Sequence, residues 1–465
     1  MRFILLITGL LINISAWSQN QEGQYYWISF ADKKQTSYSI DEPEAFLSLR
    51  AIERRIKQGI AVTENDFPVN QSYLNELVSA GVKIKNTSRW LNAASVICTS
   101  ETAKKMAEMP FVTSVDYVGK QHQKQLAVNE KASRQKPVKR VFSHKYGYAK
   151  AQIEMLKGIS LHESGLTGRG KMIAVLDAGF KNVDSSPFFD HLRQNNQLVH
   201  SYDMVDSDNQ VFETSVHGTE VLSIMAANIP GVMVGTAPDA IYVCIKTEDT
   251  RSEFRMDECS WIAGLEYADS LGVDVVNSSV GYTVFNDSKM NYAKEDLDGK
   301  TALSSRAAEL AFAKGMIIVN SAGNEGNNTW KGLAMPADAP NVLAVGAVDA
   351  GSEKCDFSSI GWVSSTSVKP DIAALGADIA VVSGENNDVL SGKGTSYAAP
   401  LVSGLIAALW QAFPYATNKQ ILEAVRKTAS EALHPDNETG FGIPNFSAAF
   451  NYLQMKQQED IWVAK

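Results

Sequence analysis

GTSYAAP at residues 394–400, continued without a break by LVSGLIAALW at 401–410, is the stretch that decides the architecture. Small and apolar side chains fall on every side of the helix it predicts, so that helix has to be covered all round, not along one stripe. Such a helix belongs at the centre of a layered domain. Its first residues also matter chemically. Ser396 sits at the amino end, where unpaired backbone N–H groups and the helix dipole stabilise negative charge on an oxygen. An N-cap serine is the more ordinary reading of Gly-Thr-Ser before a helix. That reading leaves Pro400, inside the helix, without a purpose.

Working outward, the runs at 172–176, 241–245, 273–276, 316–319 and 342–345 are short and mostly apolar, as strands covered on both faces are. Helical patterns alternate with them, which predicts an α/β domain over 146–451 built on a doubly wound, mostly parallel sheet. Residues 19–120 read as a separate, small α+β domain. Its expected elements are a strand at 25–30, a helix at 44–58 with Phe46, Leu49, Ile52 and Ile56 on one face, a helix at 72–80, a strand at 93–99, a helix at 101–109 and a strand at 112–118. Between the two domains, 121–145 lose apolar periodicity and accumulate Lys124, Lys131, Arg134, Lys136, Lys139 and Arg140. This is a basic linker, suited to proteolytic clipping or else a solvated connection that is never cut. The stretch 452–465 reads as a frayed C-terminal tail.

The chain of 465 residues is long for one hydrophobic core. Hydrophobic content of 45% and charged content of 20% are those of an ordinary globular protein. A net charge of -9 supplies no broad basic face, so nucleic acid is not an expected partner. Met1 and Arg2 precede an apolar run at 3–14, interrupted by Thr8 and Asn13 and followed by Ala16 and Ser18. The run is shorter than the ~20 residues that span a bilayer. Residues 1–18 are therefore read as a cleavable signal peptide, and the mature protein as secreted or periplasmic without stable membrane insertion. Cys98, Cys244, Cys259 and Cys355 are too few and scattered for a disulfide framework, and none forms a close metal-ligand pair. Cys244 reads as a buried small hydrophobe, and one disulfide stays open.

Four elements carry candidate chemistry. Asp177 follows the strand-like run 172–176 and precedes Gly179, at the carboxyl end of a parallel strand, where open α/β sheets place their sites; a turn-capping Asp is the alternative. His217 opens HGTEVLSIMAAN (217–228), with a buried helix beginning just after it and Gly218 leaving room around the imidazole. Asn324, between glycines in NSAGNEG (320–326), can extend its amide toward a developing negative charge, or serve as a turn Asn. With Ser396 these supply a nucleophile, a base, an orienting acid and an oxyanion donor.

In the order Asp177, His217-Gly-Thr, Gly-Thr-Ser396, and in YGYAKAQIEMLKG, NSSVGY (277–282), DFSSIG (356–361) and VKPDIAALG (368–376), the chain resembles the subtilases. The resemblance implies a serine endopeptidase acting on proteins or peptides, with Asp177, His217 and Ser396 as catalytic triad and Asn324 with the Ser396 N–H as oxyanion hole. It further implies that Ser279, Val280 and Gly281 pair with the substrate backbone, beside a pocket at Gly281 and Gly323. Residues 19–120 match the family's inhibitory propeptide, an intramolecular partner. No cofactor enters the chemistry. A structural calcium is a family trait, but Asp203, Asp206 and Asp208 read as a solvated loop. Three departures stand out. Ala178 replaces a common Ser or Thr, Glu220 replaces a frequent second His and lies one helical turn from His217, where it can raise the imidazole pKa, and Leu375 replaces a frequent proline. A silent binding protein would carry a damaged triad, and an esterase would carry Gly-x-Ser-x-Gly; neither is seen.

Overall fold

The computed structural model describes residues 23–121, 143–362 and 367–463; the expected signal peptide and nearly all of the basic linker lie outside the described residues. The N-terminal unit runs β1 (Gln24–Phe30), α1 (Leu49–Gln58), α2 (Gln71–Ser79), β2 (Lys83–Ser88), β3 (Ala93–Cys98), α3 (Ser100–Met106) and β4 (Val112–Lys120). Its strands form one antiparallel sheet in the order β2-β3-β1-β4. Strand β1 is buried on both faces, and its alternation explains why. Tyr26, Ile28 and Phe30 pack with Leu77, Val96, Met106 and Phe111 in the unit's own core, whereas Trp27 joins Phe254, Met256 and Trp261 of the larger domain.

The larger domain continues with α4 (Lys150–Met155), α5 (Ile159–Glu163), β5 (Met172–Asp177), α6 (Asp190–Gln194), β6 (Leu198–Asp203) and α7 (His217–Ala226). A short hairpin, β7 (Asn228–Ile229) and β8 (Met233–Val234), leads to β9 (Ile241–Lys246), α8 (Met256–Leu271), β10 (Val275–Ser278), α9 (Leu303–Ala313), β11 (Ile317–Ser321), β12 (Leu343–Val348) and β13 (Ile372–Leu375). A second hairpin, β14 (Ala377–Val382) and β15 (Val389–Lys393), precedes α10 (Thr395–Ala412), α11 (Asn418–Lys427) and α12 (Phe446–Val463). The 7-stranded sheet has the order β13-β12-β11-β10-β5-β9-β6, and every neighbouring pair is parallel. Alternate residues of β5 face opposite layers. Ile173 and Val175 join the cluster around α7 and α10, while Met172, Ala174 and Leu176 join the one around α8. Helix α10 is enclosed as its sequence demands, with Tyr397 through Trp410 all buried. No described helix is long and apolar enough to cross a membrane.

Several expectations change. The strands of the two sheets missed in sequence, β2, β6 and β13, are three of their four outer strands; KIKNTS and LVHSYD are too polar to register as apolar runs. Helix α12 crosses residue 451 and continues to Val463, so the stretch read as frayed is helical. All four cysteines are buried free thiols, and no disulfide forms.

The largest reversal is α1. It starts at Leu49, where Ser48 Oγ accepts from the Ala51 N–H, and its apolar residues point outward: Leu49 is 74% and Ile56 72% exposed. The buried residues are Ala51, Arg54 and Arg55. The guanidinium groups win the interior because carboxylates wait there. Arg54, Arg55 and Arg89 of the N-terminal unit all pair with Asp269 of α8, and Arg55 also meets Asp66 at 3.1 Å. Gln58 Nε2 donates to the Gly315 carbonyl just past α9, and its Oε1 accepts from the Asn418 N–H at the start of α11. Breaking a buried charge cluster by removing one member costs about 3–5 kcal/mol, so these contacts fix how the unit docks.

Burial alone would raise the Asp269 carboxyl, but Arg54, Arg89 and Arg55 outweigh it and hold it at about 2. A carboxylate depressed in the folded state contributes stability above its unfolded pKa of about 4 and loses it as pH falls. The stability difference between the Ser396→Ala chain and the same chain with Asp269→Asn is therefore expected to be full above about pH 4 and to shrink toward pH 2. Urea titrations across that range measure it.

Candidate active site

Asp177 is the last residue of β5 and is fully buried. Its Oδ1 accepts from the Ala178 N–H at 2.7 Å and lies 2.8 Å from His217 Nδ1. A carboxylate only accepts, so Nδ1 carries the proton and Nε2 is left as the basic nitrogen. His217, about one-third exposed, opens α7. The two approach because Gly218 has no side chain. A Cβ there would stand 2.3 Å from the Gly179 carbonyl oxygen and 3.0 Å from the Asp177 Cβ. The room that Gly218 leaves is thus against the Asp177 turn. Asp177 Oδ2 is buried without a hydrogen-bond partner among the described residues, in keeping with Ala178 having no hydroxyl to offer.

Ser396 lies in the first turn of α10, after Gly394 at φ 150°. Between Thr395 and Trp410 it is the one residue that is not buried, and Tyr397 beside it keeps 9% of its surface. Asn324, in the loop after β11, is tied to the same turn. Its Oδ1 accepts from the Thr395 N–H at 2.9 Å and from Thr395 Oγ1 at 3.1 Å. Both bonds use the amide oxygen, which leaves Nδ2 as the end of the amide that can donate elsewhere. Thr395 Oγ1 also accepts from the Gly323 N–H at 3.2 Å. This bridging threonine was not singled out in sequence, although it stands inside the motif.

The expected substrate edge follows β10. Ser279 is buried, Val280 is partly covered and Gly281 is exposed. Gly281 and Gly323 come together around Ala334, whose Cβ would be 2.6 Å and 3.3 Å from a Cβ at either position. Ser396 Oγ donates to the Ser279 carbonyl at 3.2 Å, so the hydroxyl rests on this edge. Glu220 accepts a hydrogen bond from the Tyr397 hydroxyl, and the Tyr397 ring sits 5.8 Å from the imidazole of His217. Glu220 thereby braces the residue that follows Ser396.

The acidic group Asp203, Asp206 and Asp208 is not the solvated loop expected. Asp203 is buried, with Lys246 Nζ 2.8 Å from its Oδ2; the same ammonium is 3.7 Å from Asp206 Oδ2, and Arg251 is 3.4 Å from Asp206 Oδ1. The protein's own cations satisfy Asp203 and Asp206, and Asp208 Oδ1 accepts from the Gln210 N–H, so the three carboxylates do not fit a calcium ion. Among the described residues, no group of three or more His, Cys, Asp or Glu side chains is placed to hold a metal.

Comparison with known proteins places the chain among its relatives. The subtilase family profile, Peptidase S8, matches residues 168–442, and the Peptidase S8 propeptide domain profile, Bacteroidota, matches 25–136. The chain is similar to subtilisin NAT of Bacillus subtilis subsp. natto, 29% identical over 375 residues that cover 79% of this chain and 83% of the relative. It is similar to subtilisin of Bacillus pumilus, 31% identical over 64% of this chain and 97% of the relative. It is also 27% identical to the minor extracellular protease Epr of Bacillus subtilis (strain 168), over 62% of this chain and 39% of that protein.

Gly218→Ala is expected to push α7 away from β5 and break the 2.8 Å contact between Asp177 and His217. The readout is the far-downfield imidazole N–H proton in NMR spectra, present in the parent and absent in the variant.

Proposed function

The chain belongs to the subtilase family, and from that premise we propose that Asp177, His217 and Ser396 form the catalytic triad of a secreted peptidase released from its own N-terminal unit. The enzyme is a serine-type endopeptidase made as a zymogen. The observation that carries the residue assignment is the accessibility of Ser396 alone in a helix otherwise buried from Thr395 to Trp410. A polar side chain at the open point of a buried helix, next in sequence to Tyr397, whose ring lies 5.8 Å from a histidine with Nδ1 held by a buried carboxylate, suits nucleophilic attack.

In this reading Ser396 Oγ leaves the Ser279 carbonyl and attacks the scissile carbonyl carbon while His217 Nε2 takes its proton. Asp177 keeps the imidazole in the required tautomer and stabilises the imidazolium that forms. Charge developing on the carbonyl oxygen is met by Asn324 Nδ2, whose oxygen is occupied by Thr395, and by the Ser396 N–H, which has no intrahelical acceptor at the helix start. His217 then protonates the leaving amine, the peptide bond breaks, and water enters to hydrolyse the acyl-enzyme by the reverse proton path. The chemistry draws on protein groups alone. The edge at Ser279, Val280 and Gly281 receives the substrate main chain, and the gap between Gly281 and Gly323 receives a side chain.

Residues 19–120 act as the inhibitor. Strand β4 carries the chain to the Ser279 side of the molecule, where Gly119 packs so closely on Phe254 that a Cβ would be 2.9 Å away. A cut in 121–145 separates the unit covalently. The leader at 1–18 directs export, in accord with a relative named as extracellular.

On casein, the wild type is expected to accumulate cleaved product and to show a new N-terminus between residues 121 and 146, while Ser396→Ala does neither. Asn324→Leu is expected to lower kcat by about 100- to 1000-fold, the effect of losing one oxyanion donor. Equal cleavage by wild type and Ser396→Ala contradicts the assignment.

A further inference from the structure

Pro400 is the residue of the 394–400 stretch that the proposed chemistry leaves unused. It sits inside α10 and has no N–H, so the carbonyl four residues back, that of Ser396, receives no helical hydrogen bond from it. That carbonyl is served from another element. Ser279 Oγ donates to it at 2.8 Å. The direction of this bond is set from behind. Ser403 Oγ, one turn further along α10, lies 2.8 Å from Asn277 Oδ1 and 3.1 Å from the carbonyl of Ala399; its single proton goes to the nearer amide oxygen, and Asn277 Nδ2 donates to Ser279 Oγ at 3.1 Å. With a lone pair of Ser279 Oγ occupied by the amide, its single proton is aimed at Ser396. Ser279, Asn277 and Ser403 are all buried, so no water competes for these bonds and the chain of donors has one consistent direction.

We propose that the Ser279 side chain, oriented by Asn277 and Ser403, is a positioning residue for Ser396, supplying the hydrogen bond that Pro400 withholds. The inference rests on Ser396 being the nucleophile. Its consequence is that the backbone carrying Oγ and the oxyanion-facing N–H is held by the substrate-binding edge and not by the helix to which it belongs. Ser279 gives its main chain to the substrate side and its hydroxyl to the nucleophile, so both keep one register. An intact helical bond at residue 400 would tie Ser396 to α10 alone.

The test compares Ser279→Ala, Ser279→Thr, Pro400→Ala and the Ser279→Ala/Pro400→Ala double variant, with active sites counted from the acylation burst so that kcat refers to folded enzyme only. Ser279→Ala is expected to lower kcat by roughly 10- to 100-fold, the effect of misplacing a reacting atom, with KM within about twofold of wild type. Ser279→Thr, which keeps the hydroxyl, recovers much of the loss. Pro400→Ala returns an N–H to the Ser396 carbonyl, so the double variant is faster than Ser279→Ala, a non-additive cycle that a merely space-filling serine does not produce. Wild-type kcat per titrated site in Ser279→Ala, or strict additivity in the double variant, overturns the proposal. If Ser279→Ala does not fold, Ser403→Ala, which releases Asn277 and also the helical contact of Ser403 Oγ with the Ala399 carbonyl, is measured in the same way; a reduced kcat with KM unchanged supports the proposal and an unchanged kcat overturns it. Failure of the underlying reading is seen separately, as activity that survives Ser396→Ala.

Discussion

A helix without a polar face has to be enclosed, and the enclosure of α10 is the constraint from which the rest of the molecule follows. Its small residues let it lie against the sheet while α7, α11 and α12 close around it. At one close approach, a Cβ on Gly404 would stand 2.0 Å from Thr236 Oγ1. The sheet beneath it is parallel, so all its strands finish at one edge. Asp177 ends β5, Ser279 follows β10 and Asn324 follows β11, and these strands are neighbours in the order β11-β10-β5. The amino end of α10 is brought to that edge by the reciprocal bonds between Ser396 and Ser279. The candidate residues gather there because the parallel strands end at that edge and the amino end of α10 meets it.

What could be read in the sequence was set by how much a residue's surroundings restrict it. The central strands and α10 were legible because burial on both faces demands continuous apolar runs. Asp177, His217, Asn324 and Ser396 drew notice only as a set, each being ambiguous alone. The polar edge strands β2 and β6 carried too little hydrophobic signal. Helix α1 misled for a physical reason. Amphipathic pattern identifies two faces but not which one is buried, and here Arg54 and Arg55 turn inward to Asp269 and Asp66, leaving Leu49 and Ile56 outside. Glu220 likewise met a partner, Tyr397, that helical spacing does not reveal. Asn277 and Ser279 stood in a quoted motif, but their side-chain bonds cross from β10 to α10 and have no local signature.

The N-terminal unit and the larger domain share α8 along its length. Trp27 of β1 packs with Phe254 and Met256 near the start of α8, and the arginines reach Asp269 near its end. Arg50 extends this second contact to the Gly170 and Gly272 carbonyls and to Asp274, which lie just before β5 and β10. Asp177 and Ser279 lie at the opposite ends of those strands, some 15–20 Å away by strand rise. The two contacts of the N-terminal unit are therefore physically separate. The apolar packing of Trp27 on Phe254 and Met256 is one, and the charge cluster at Asp269 is the other.

The central claim is that Ser396 becomes the one activated hydroxyl of the chain once the N-terminal unit has gone. Labelling with a serine-directed fluorophosphonate, followed by mass spectrometry of the peptides, addresses it directly. The account predicts a single adduct, on Ser396, in chains that have lost residues 19–120, with none in His217→Ala. An adduct on another serine, or equal labelling of Ser396 in processed wild type and in His217→Ala, would contradict it.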